Sequence, residues 1–98
     1  MEYVFDFDPE KNAILKEDRG IGFEDVITLM ESGEIVSVIA HPNQQRYPHQ
    51  YICEVDIKGY IYIVPFVITG YRIFLKTIYP SRKATKKHRR KSYYGEEN

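Results

Sequence analysis

The chain has no tryptophan, one cysteine and two methionines, and each scarcity excludes something. A lone Cys53 cannot close an internal disulfide or build a cysteine zinc cage. The longest apolar stretch, Tyr60–Thr69, covers about half of a bilayer, so no transmembrane helix and no membrane association are predicted. The opening residues MEYVFDFD lack the basic start of a secretory signal. His41, His49 and His88 are scattered, with no carboxylates at ligand spacing, which predicts no metal site and no cofactor. There is no internal repeat and no low-complexity tract. The expectation is one cytoplasmic domain spanning residues 1–98.

Acidic side chains are missing from one further place. Ile78–Lys91 reads IYPSRKATKKHRRK and holds seven of the fourteen basic residues: Arg82, Lys83, Lys86, Lys87, Arg89, Arg90 and Lys91. The net charge of zero conceals this. Residues 1–34 carry ten acids against three bases, 35–80 two against four, and 81–98 two against seven. One pole of the molecule therefore suits RNA or an acidic protein, because each cation placed on a phosphate releases counterions. Nine tyrosines and five phenylalanines favour strands and offer aromatic faces for stacking on bases.

Tyr3–Asp8 alternates aromatic and polar residues and reads as a strand. Asp8-Pro9 opens a helix whose apolar face is Ala13, Ile14 and Leu15, with Gly20 or Gly22 as its end. Phe23, Val26, Ile27 and Met30 recur at helical spacing, and Gly33 stops that second helix. Ile35–Ala40 is a strand, followed by a polar loop, His41–His49. Tyr51–Ile57, Tyr60–Ile68 and Tyr71–Tyr79 form a meander through turns at Lys58-Gly59 and Thr69-Gly70. Pro65 within the central strand predicts a bulge or bend. Pro80 breaks the last strand, and Ser81 caps a basic helix over about 81–91, with a frayed tail at 92–98. The expected fold is α+β, in the order β-α-α-β-β-β-β-α, with helices packed on an antiparallel sheet.

Three segments resemble the BrnT-type toxins of type II toxin–antitoxin systems, within the wider RelE-like group of small ribonucleases. FDFDPEKNAILK resembles that family's aromatic-acidic strand followed by D-P-x-K-N. RGIGFEDVITLMESG resembles its H-G-I-x-F-E-E-A segment, and TIYPSRKATKKHRR echoes its closing S-A-R-K-A-T-K. Together they span residues 3–91. The chain departs from the family at Asp18-Arg19-Gly20, where Lys-His-Gly is usual, at Pro80-Ser81, and through the loop HPNQQRYP. The resemblance implies a RelE-like fold and a metal-independent endoribonuclease acting on mRNA. It also implies a cognate antitoxin of ribbon-helix-helix type, through which alone operator DNA would be bound.

Cleaving RNA without a metal needs a base for the 2′-OH, cations around the phosphorane and an acid for the leaving oxygen. The resemblance places such groups on the sheet face and the last helix. The candidates for catalysis are Arg19, His41, Tyr47, Lys76, Arg82 and Lys86. Arg46, Arg72, Lys83, Lys87, Arg89 and Arg90 are candidates for holding RNA. Arg82 and Lys86 share one helix face, and Arg72, Phe74 and Lys76 form a basic-aromatic stripe on one strand face. Plainer explanations stand beside these. A cation at Arg19 suits a helix C-terminus, a charge run is a solvated face, and a loop histidine is polar surface. Glu17 and Asp18 read as a solvated helix flank, and Cys53 as a buried hydrophobe. The competing function is a non-catalytic module that binds nucleic acid or a partner protein through the basic helix. The distinguishing feature is whether His41 or Tyr47 reaches Arg82.

Overall fold

The computed structural model describes residues 3–96, with side chains through residue 90. Its elements are β1 (Val4–Asp6), α1 (Pro9–Arg19), α2 (Phe23–Ser32), β2 (Ser37–Ala40), β3 (Gln50–Ile57), β4 (Tyr60–Thr69), β5 (Arg72–Leu75), β6 (Tyr79–Pro80) and α3 (Arg82–Glu96). The fold is α+β. The sheet runs β1-β5-β4-β3-β2, with β6 pairing β4.

The sheet is mixed, which corrects the expected antiparallel one. β2 to β5 form an antiparallel meander, but β1 lies parallel to β5 with Phe5 opposite Ile73. Chain connectivity explains this. α1 and α2 carry the chain from β1 at one edge to β2 at the other, so β1 meets β5 only through a non-local pairing whose direction the meander sets.

Local signals place both early helices. The Asp8 carboxylate accepts the Glu10 N–H at 2.9 Å, and Gly20 ends α1 at φ 70°, a left-handed conformation that glycine adopts without penalty. The inward face of α1 differs from expectation: Asn12 and Leu15 are buried, whereas Ala13 and Ile14 face outward. Phe23 and Val26 of α2 are fully buried, and Ile27 and Met30 pack beside them. These side chains close over Cys53, Val55, Val64, Phe66, Ile73 and Leu75, and so one sheet face is the core.

β4 runs unbroken through Pro65, and the irregularity falls on its neighbour. Phe66 pairs with Leu75 and Ile63 with Tyr79, so the partner strand holds one extra residue between those rungs, a β-bulge at Lys76–Ile78. The Pro65 carbonyl accepts the Lys76 N–H at 2.9 Å, which turns the proline's missing donor toward the bulge, where no ladder bond is lost. The expected continuous strand Tyr71–Tyr79 is thereby split into β5 and β6.

α3 lies on the opposite sheet face. Ser81 Oγ accepts the Ala84 N–H at 3.0 Å as its cap. The buried Thr85 hydroxyl accepts the Ile61 N–H at 2.9 Å and donates to the Ser81 carbonyl at 2.7 Å. The helix continues to Glu96, past the expected end near 91, and the last two residues of the expected frayed tail lie outside the described residues.

Candidate nucleic-acid interface

Strand register fixes which side chains share the face that α3 partly covers. Ile39, Ile52 and Pro65 form one cross-strand row, and Ser37, Glu54 and Ile63 form another. The His41 N–H donates to the Gln50 carbonyl at 2.9 Å, which extends the β2–β3 ladder by one rung. By alternation His41 joins the row of Gln50, Val67 and Phe74. Arg72, Phe74 and, at the bulge, Lys76 form the opposite margin of this face, and all three are exposed. α3 walls its lower end at Ile61 and Asp56, where His88 Nε2 stands 3.7 Å from Asp56 Oδ2.

The inward face of α3 is Ser81, Ala84, Thr85 and His88, the i, i+3, i+4, i+7 set. Arg82, Lys83, Lys86, Lys87, Arg89 and Arg90 are therefore all exposed. Arg89 donates to the Gly59 carbonyl at 3.3 Å. Among the described residues no carboxylate pairs with Arg82, Lys83, Lys86, Lys87 or Arg90. Arg82 and Lys83 stand in the first helical turn, where the macrodipole is already positive and no acid offsets it. That placement disfavours the helix in isolation and favours an anion at its start.

His41 and Tyr47 form a second cluster, with ring centroids 4.5 Å apart, and the Arg46 guanidinium lies 5.5 Å from the Tyr47 ring. His41 Nδ1 accepts the Asn43 N–H at 3.0 Å. With Nδ1 accepting, Nε2 is the ring nitrogen left to donate. A donor suits a phosphate or leaving oxygen; it does not suit abstraction of a 2′-OH proton.

The two clusters share a face without meeting. α3 reaches Ile39 and Ile52 through Ala84, Lys87 and His88, and among the described residues no hydrogen bond, ion pair or ring contact joins His41 or Tyr47 to the helix. Arg19 faces the other side. It lies on the core side of the sheet in a cleft of about 690 Å³ lined by Tyr60, Tyr62, Thr28 and Lys58. Arg72 is held by Asp6 at 3.3 Å, so part of its charge is already matched.

Sequence reasoning missed the apolar floor of the platform, formed by Ile52, Pro65 and Val67, and the polar Gln50 on its rim. Period-2 alternation within β3 and β4 carries that information once the register is known. Among the described residues no group of three His, Cys, Asp or Glu side chains stands close enough to hold a metal, and no described helix is long and apolar enough to cross a membrane. Burial, with help from Glu54, pushes the Cys53 thiol up to about 11, as expected of a small buried hydrophobe. Comparison with protein-family models, curated proteins and solved structures returns no match to the chain.

Proposed function

We propose that the chain is an RNA-directed toxin of BrnT type, a metal-independent endoribonuclease that lays single-stranded RNA across the open sheet face against α3. It would be neutralised by a cognate antitoxin, and the RelE-like strand order belongs to the same reading. The observation that carries the proposal is the exposed Arg72-Phe74-Lys76 stripe, which lies on the sheet face that also carries α3, where Arg82 and Lys83 have no carboxylate partner among the described residues. An aromatic side chain flanked by cations is the usual platform for a single strand, with stacking worth about 1–3 kcal/mol per base. Arg82 and Lys86 would then neutralise phosphate, and His41 Nε2 would donate at the far end of the bound strand.

A specific observation favours a second reading. Among the described residues no hydrogen bond or ion pair joins His41 or Tyr47 to α3, so no acid–base pair is assembled around Arg82. In that reading the face binds RNA, or an acidic partner protein, without cutting it.

Induced expression of the chain and of its Arg82→Ala/Lys86→Ala variant separates the two, with growth and total RNA integrity followed. Arrest with RNA cleavage by the parent alone supports the ribonuclease. Normal growth with intact RNA and folded protein supports binding without catalysis.

A further inference from the structure

β2 is the edge of the sheet opposite β1, and it lacks charged or proline protection. Residues 35–40 read IVSVIA, with no lysine, proline or charge to discourage pairing. The ladder to β3 places Ser37, Ile39 and His41 in hydrogen-bonded positions, so Val38 and Ala40 turn their N–H and C=O groups outward. Val38 is 44% exposed and Ile39 54%. A groove of about 270 Å³ runs beside this edge, floored by Ile39 and Ile52 and walled by Ala84, Lys87 and His88 of α3. Glu54, the acid in the groove, is engaged by the Ser37 hydroxyl at 2.6 Å.

We propose that this edge accepts an extended, acidic segment of another protein as an added strand. Backbone groups of Val38 and Ala40 would hold it, alternate carboxylates would project on the α3 face toward Lys87 and His88, and the intervening apolar side chains would lie on the other face beside Val38 and Ala40. A second copy of the chain is the poorer occupant. Antiparallel pairing of two β2 edges about a two-fold axis keeps both α3 helices on one face, bringing two strongly basic helices toward the shared edge. An acidic segment meets the same surface with complementary charge. The inference stands apart from RNA binding, and its test reads a peptide.

The probe is a short, terminally blocked, fluorescently labelled peptide alternating glutamate and valine, titrated against the full chain at low salt. The parent chain is expected to bind it, with the Val38 and Ala40 amides gaining protection from hydrogen exchange. Val38→Pro removes only an outward donor, which an edge strand tolerates, and should weaken binding about tenfold, the scale of one lost hydrogen bond. Exchange at those two amides in the parent keeps the test decisive if the variant fails to fold. No binding, binding without new protection, or equal binding to a folded Val38→Pro would overturn the proposal. So would self-association of the parent that Val38→Pro abolishes, since the occupant would then be a second copy.

Discussion

The side-chain oxygen of Asn12, buried on α1, accepts the Phe23 N–H of α2 at 2.7 Å, while its amide donates to Glu24 at 2.9 Å. One side chain thus satisfies an orphan donor of the second helix and fixes the angle between both helices. Gly22 sits within this joint. A Cβ there would stand 2.5 Å from Lys16 Cε and 2.9 Å from the Asn12 oxygen. Asn12→Ala should cost about 1–3 kcal/mol, the price of an unsatisfied buried donor, and denaturant unfolding of both chains measures it.

Glu24 makes the same joint sensitive to acid. The Lys16 ammonium 2.7 Å away, then the Asn12 amide, lower its carboxyl from 4.5 to about 2. The folded value lies below the unfolded one, so the stability contributed is complete above about pH 4.5 and is lost as pH falls toward about 2. Unfolding midpoints followed across that window should drop in the parent. In Glu24→Gln this component of the drop should be absent.

α3 is attached to the sheet through Thr85, whose hydroxyl serves the Ile61 N–H. Thr85→Val keeps the shape and orphans that donor, with a predicted cost of about 1–3 kcal/mol. Exchange of the Ile61 amide should rise with it. Unchanged exchange at Ile61 would show that the helix is held elsewhere.

Cys53 is fully buried and its thiol is pushed up to about 11, so thiolate is scarce at neutral pH. Alkylation of the native protein should be slow and should become fast only after unfolding. Labelling followed by mass spectrometry with and without denaturant checks this.

Much of the fold was legible because its signals are local. Asp8-Pro9, Gly20 and Gly33 mark helix ends through capping and left-handed backbone, and the Lys58-Gly59 and Thr69-Gly70 turns separate the meander strands. Two features were hidden because distant partners decide them. The parallel place of β1 depends on β5, nearly seventy residues away in register (Val4 opposite Arg72). The effect of Pro65 depends on which side of β4 its missing donor faces. The candidate site divides in the same way. The basic face of α3 follows from spacing, whereas the distance from His41 to that helix depends on register across three strands. Asn12 and Gly22, whose role no local pattern announces, both serve the joint between α1 and α2.

The central claim is that the open sheet face beside α3 takes single-stranded RNA, and binding of a labelled RNA oligomer across a salt series tests it most directly. The parent chain should bind with a steep negative salt slope. Phe74→Ala should weaken binding by about 1–3 kcal/mol with the slope unchanged, and Lys76→Ala should reduce the slope by about 1. Equal affinity and equal slope in both folded variants would contradict the account.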